Sequence, residues 1–189
     1  MFCPSFRRRK EGKDDACRRG VSDVSYPVIP MCPETPLLLA VDVGLKTGLA
    51  CFREDGRLSW YRSHNYGSVP RLRRGLRGVL DAVPGCRWLY LEGGGVLADI
   101  WEREALRRGL TVRIVAAETW RDTLLYPRRR RDGKGAKHSA VILATRVIRW
   151  SGMSNPTALR HDAAEAILLG LWGLMEEGLL GTIPPEITR

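Results

Sequence analysis

The sequence has little of what staples or anchors a small protein. Its five cysteines, Cys3, Cys17, Cys32, Cys51 and Cys86, form no C-x-x-C pair, and their number is odd. That pattern argues against a disulfide framework and for a reducing compartment. With only three histidines and no His/Cys cluster, zinc is disfavoured. No stretch approaches about 18 uninterrupted apolar residues, so no transmembrane helix is expected. The first 36 residues also lack the apolar centre of a secretory signal. Asp14, Asp15 and Asp23 count against an organelle transit peptide, a class ordinarily poor in acids. Acidic residues are in deficit throughout: 21 Asp+Glu face 31 Lys+Arg, for a formal net charge of +10. Arginine outnumbers lysine, which suits bidentate contact with a polyanion such as a phosphate backbone.

The 189 residues, 44% of them hydrophobic, fit one domain with a core of its own. Residues 1–36 read as a disordered tail, 37–178 as the folded domain and 179–189 as a C-terminal tail. Leu37 to Val41 is a short apolar run bounded by turn residues, as expected of a buried central strand. Gly44 and Gly48 bracket a tight turn. Strands are expected over Thr47–Phe52 and Leu58–Arg62, joined by a hairpin at Asp55-Gly56. Leu72, Leu76, Val79 and Leu80 keep helical spacing within 68–82, beside Arg71, Arg73, Arg74 and Arg77. Trp88–Glu92 and Thr111–Val115 read as strands, with a helix from about Val96 to Arg108 between them. A short helix is possible from Glu118 to Leu125. Tyr126 to Lys137 reads as a basic loop, followed by helices over His138–Trp150 and His161–Glu176, with Gly178 as a stop. The fold class implied is α/β: a mixed five-stranded sheet flanked by helices on both faces.

Two strands end in an acid beside glycine. Asp42 closes the first apolar strand and is followed by Val43 and Gly44; Glu92 closes Trp88–Glu92 and is followed by three glycines. Strand ends form the rim of a sheet, where ligands bind, and Gly44 permits close approach of a metal or phosphate. A glutamate finishing a buried strand must be solvated, paired or metal-bound. Asp162 and Glu165 stand three apart near the start of the last helix and project from one face. Acids in a first helical turn also complement the helix macrodipole. Convergent carboxylates suit phosphodiester hydrolysis, in which two divalent ions ~3.5–4 Å apart activate a water and neutralise charge. Hard oxygen ligands favour Mg²⁺ or Mn²⁺.

The segments LLLAVDVGLKTGLACF, LYLEGGG and HDAAEAILLGLWGL resemble the three active-site segments of RuvC-type Holliday junction resolvases. The H-x-x-A-E-A form of the third is similar to the chloroplast branch of that family. The resemblance spans roughly Leu37 to Leu174 and implies an RNase H-like fold and a Mg²⁺- or Mn²⁺-dependent endonuclease. Its product would be paired nicks in a four-way DNA junction, made by a homodimer in recombination and repair. It makes Asp42, Glu92, Asp162 and Glu165 the catalytic, metal-binding acids. Asp42 would bridge two ions, Glu92 would hold one, and Asp162 with Glu165 the other. His161 has no settled role by this comparison. Where relatives often carry an aromatic that probes the opened junction, this chain has Gly93-Gly94-Gly95; Trp101 or Tyr90 are the available substitutes.

Arg128, Arg129, Arg130, Arg131, Lys134 and Lys137 lead into the helix at His138 and are expected to contact DNA phosphates. Lys137 resembles in position a lysine that the family uses near the scissile phosphate. Trp88, Trp120, Trp150 and Trp172 are expected in the core. Two rival functions share much of this pattern: an RNA-processing nuclease of the YqgF type, and a catalytically silent junction-binding protein. The expected location is the cytoplasm and nucleoid, or alternatively a chloroplast or other organelle nucleoid.

Overall fold

A computed structural model describes residues 35–125 and 133–188, with side chains from His138 onward in the second stretch. Five strands, β1 (Pro36–Asp42), β2 (Lys46–Arg53), β3 (Leu58–Asn65), β4 (Trp88–Glu92) and β5 (Thr111–Val115), form one sheet in the order β3-β2-β1-β4-β5. β1 pairs antiparallel with β2 and parallel with β4; β2–β3 is antiparallel and β4–β5 parallel. The sheet is therefore mixed. Six helices lie among the described residues: α1 (Val69–Asp81), α2 (Gly95–Arg107), α3 (Ala117–Leu124), α4 (Gly133–Trp150), α5 (His161–Glu176) and α6 (Pro185–Thr188). None of the described helices is long and apolar enough to cross a membrane.

Local chemistry accounts for the elements. The β2–β3 hairpin turns on Gly56, whose φ of 77° suits glycine, and the Asp55 carboxylate accepts the Arg57 N–H at 2.9 Å. α1 opens with Pro70, tolerated in a first turn, and buries Leu72, Leu76 and Leu80 on one stripe. α4 begins five residues before the expected start at His138. Gly133 and Gly135 lower helix propensity in that segment, yet propensity is a weak prior that the rest of the helix overrides. The segment 179–189, expected as a tail, contributes Ile187 to the core, where the Arg146 guanidinium donates to the Ile187 carbonyl oxygen at 3.2 Å. The tail expected over residues 1–36 lies outside the described residues except for Thr35 and Pro36.

Side chains of β1 enter two cores in alternation. Leu38 and Ala40 join Ala50, Phe52 and Tyr90 in a cluster with α4 and α5; Leu39 and Val41 join Leu49, Cys51, Leu89 and Leu91 in another with α1 and α2. α5 is buried from Ala163 to Leu174, so its apolar residues show no single stripe. Close approach of α5 depends on missing side chains. A Cβ at Gly170 would stand 2.3 Å from the Phe52 ring, and one at Gly48 would stand 1.9 Å from the Asp162 carbonyl oxygen. Gly48 thus lies within β2 as a seat for the start of α5. Trp120 and Trp172 are buried as expected, whereas Trp88 and Trp150 are only partly so.

Candidate metal centre

Register brings the site together. Asp42 is the last residue of β1 and Glu92 the last of β4, and they are direct partners in the parallel pair. The Val43 N–H donates to the Glu92 carbonyl oxygen at 3.0 Å, which locks the two strand ends. Across the other edge of β1, Asp42 pairs with Gly48, and Gly48 with Ser63 of β3. Ser63, Gly48, Asp42 and Glu92 therefore form one row across the sheet, on the face that α5 covers. The first turns of α5 descend on this row through the gap at Gly48.

Asp42, Glu92 and Glu165 each offer an oxygen, and the three oxygens lie within 4.8 Å of one another. In an octahedral Mg²⁺ shell with bonds of about 2.0–2.1 Å, neighbouring oxygens are about 2.9 Å apart and opposed ones about 4.1 Å. A small contraction would close the set round one such ion, and all three donors are hard carboxylates. The residues fit the group. Asp162 is not among the three. Its Oδ2 accepts the Ser63 hydroxyl at 2.6 Å, and its Oδ1 accepts the Ala163 N–H at 2.9 Å. It flanks Asp42 closely enough to raise that residue's pKa.

The carboxylates resist ionising together. Asp42 is pushed from 3.8 to about 7, first by burial and then by Glu165, Glu92 and Asp162. Glu92 is pushed from 4.5 to about 7 by burial and by Glu165, against the Trp120 hydrogen bond and the Arg121 charge. A site that repels its own negative charge favours a cation. Arg121 of α3 currently meets that need: its guanidinium reaches Glu92 Oε1 at 3.3 Å and also pairs with Glu165 Oε1. Trp120 Nε1 donates to Glu92 Oε2 at 2.7 Å, so this core tryptophan also aims a carboxylate. His161 Nε2 lies 3.4 Å from Glu165 Oε2, and His161 Nδ1 is buried with no hydrogen-bond partner among the described residues.

Sequence reasoning reached Asp42, Glu92 and Glu165 and missed three supporting groups. Trp120 and Arg121 lie on α3, where the available signal was a tryptophan N–H, which needs a partner when buried, directly beside an arginine. Ser63 carried no signal, because only the register of β3 places it in the row. Trp101 and Tyr90 cannot probe a junction: both are buried, Trp101 on the inner face of α2 and Tyr90 with its hydroxyl donating to Glu177 at 2.7 Å. Arg128, Arg129, Arg130 and Arg131 lie outside the described residues. Lys134 and Lys137 lie on the α4 backbone, with side chains outside the description. No protein-family model matches this chain, and no curated protein is similar enough to match it.

Proposed function

We propose that this protein is a metal-dependent endonuclease of RNase H-like fold that cuts branched DNA, four-way junctions in particular. The observation that carries the reading is the convergence of Asp42, Glu92 and Glu165 at the ends of two adjacent parallel strands. Three hairpin-connected strands followed by alternating helices and strands support the fold. So does the alternation of β1 side chains between two helix-covered cores, which reads as helices on both faces of the sheet. The net charge of +10 supports a polyanionic substrate.

When bound, Mg²⁺ or Mn²⁺ supplies charge neutralisation at the phosphate and a water of lowered pKa. The protein's own residues do the positioning. Asp42 and Glu92 are fixed by strand pairing, Glu165 by a buried helix and Glu92 again by the Trp120 N–H. Asp162, held by Ser63, completes the acidic rim beside Asp42. Arg121 offsets the repulsion between Glu92 and Glu165, a task that a bound metal ion would share. Arg128 to Arg131, Lys134 and Lys137 hold phosphates flanking the cut. Paired nicks require two such sites, so the working form is a homodimer, acting at the nucleoid of a cell or organelle.

The test compares a mobile four-way junction, a linear duplex and a structured RNA with Mg²⁺ or Mn²⁺. Preferred cleavage of the junction is expected. Preference for structured RNA would replace this reading with RNA processing, and metal-independent binding without any cleavage would replace it with silent junction binding.

A further inference from the structure

Helix α1 stands between two cavities with different linings. On one side Trp60, Arg62, His64 and Tyr66 face Gly75 and Gly78 across a cavity of about 280 Å³. On the other, Arg73 and Arg77 face Arg103 and Arg107 of α2 across a cavity of about 190 Å³. Trp60, Arg62 and His64 alternate along β3 and so share one face of the strand. Ser63, between them, points to the opposite face, where it holds Asp162. Both cavities therefore lie on the side of the sheet away from the carboxylates.

The first cavity is lined by aromatic rings on its β3 side. Trp60 is half-buried, with the Arg62 guanidinium 5.8 Å from its ring centroid, and the His64 and Tyr66 rings are 4.3 Å apart. A Cβ at Gly75 would stand 2.3 Å from the Tyr66 ring, so glycine lets that ring lie against the helix. A Cβ at Gly78 would meet nothing within 4 Å, which leaves the cavity open. The second cavity gathers four exposed arginines round a single acid, Glu104. That acid is already paired with Arg107 and Arg108. Among the described residues Arg73, Arg77 and Arg103 make no ion pair. Glu104 also feels the charge of Arg77, yet one carboxylate among four guanidinium groups leaves an excess of positive charge that a further anion would offset.

Aromatic rings beside a cationic groove are the two parts of a single-strand binding surface, one for bases and one for phosphates. The helix between them is about 10 Å across, a span that a few linked nucleotides cover. β3 is an edge strand, so a strand leaving the carboxylate row can round that edge to reach α1. We propose that the α1 face is a second nucleic-acid-binding surface that takes an unpaired strand, with a base in the Trp60 cavity and phosphates among Arg73, Arg77, Arg103 and Arg107. It stands apart from the metal site, and its test does not depend on cleavage.

The experiment uses the full chain in EDTA and measures anisotropy of a labelled oligothymidylate and of a labelled duplex. Trp60→Leu should weaken oligothymidylate binding about tenfold, with duplex binding little changed. Arg103→Ser with Arg107→Ser should lower the slope of log affinity against log salt by about 1.4, about 0.7 for each phosphate no longer neutralised. If Trp60→Leu melts early, Arg62→Ser with His64→Ala, both at exposed positions, replaces it and should weaken the single strand selectively. Wild-type binding by these variants, or equal loss for single strand and duplex in the Trp60-cavity variants, overturns the proposal. Neither result would bear on metal-dependent cleavage, which is assayed separately.

Discussion

Without divalent metal, stability should fall as pH rises from about 4 to about 8. Asp42 is raised from 3.8 to about 7 and Glu92 from 4.5 to about 7, with burial the largest cause in both. Because the folded values exceed the unfolded ones, the native state keeps protons that the unfolded chain releases. Their stabilising effect is complete below about pH 4 and is lost through pH 7. Every tenfold gain in proton affinity on folding corresponds to about 1.4 kcal/mol. Glu92 raises Asp42, Glu165 raises both, and Asp42 is partly exposed, so the combined effect is on the order of 3–4 kcal/mol, less than two independent groups would give. For a domain of this size that is roughly 6–16 °C in Tm. Mn²⁺ at about 100 times its Kd should return about 2.7 kcal/mol at pH 8, where the carboxylates are charged, and much less at pH 5. Calorimetry across this range in EDTA and in Mn²⁺ provides the assay. A Tm that is flat or rising with pH in EDTA, or one that ignores Mn²⁺ at pH 8, would show that these carboxylates neither keep their protons on folding nor bind the ion.

Two substitutions test the supports of the site. Gly48→Ala would place a Cβ 1.9 Å from the Asp162 carbonyl oxygen, 2.3 Å from its carbon and 2.9 Å from the Ala163 nitrogen. These are backbone atoms, so α5 must move as a unit. The cost should be about 3 kcal/mol, and Mn²⁺ affinity should fall with it; an unchanged Tm would show that α5 is not seated on β2 in this way. Arg121→Gln removes the cation shared by Glu92 and Glu165. The metal-free protein should lose about 2 kcal/mol at pH 8, less than a fully buried pair because Arg121 is partly exposed. Titration calorimetry should find Mn²⁺ bound about tenfold more tightly, since one competing charge is gone. Unaltered or weaker Mn²⁺ binding would count against a counter-cation role.

The ends of β1 and β4 were legible because each is a short apolar run stopped by an acid and glycine. The i, i+3 spacing of Asp162 and Glu165 was equally plain, and the final helix runs over the expected residues. What a linear reading lacks is register. That Asp42 pairs with both Glu92 and Gly48, and Gly48 with Ser63, is set by strand pairing between residues distant in the chain. Gly48 therefore read as a turn residue, although its missing side chain admits α5. Asp162 read as an equal of Glu165, although the Ser63 hydroxyl holds it outside the three-oxygen group. Arg121 is one of many arginines in a basic chain, so only its position beside Glu92 and Glu165 sets it apart.

We propose that carboxylates brought together at the ends of β1 and β4 perform metal-dependent strand cleavage. Asp42→Asn is the decisive variant, because it replaces the carboxylate in the middle of the row with almost no change in size. With a four-way junction and Mg²⁺, the variant should bind the junction as the native protein does, yet leave every strand intact. Native-rate nicking by Asp42→Asn would show that these carboxylates do not carry the cleavage.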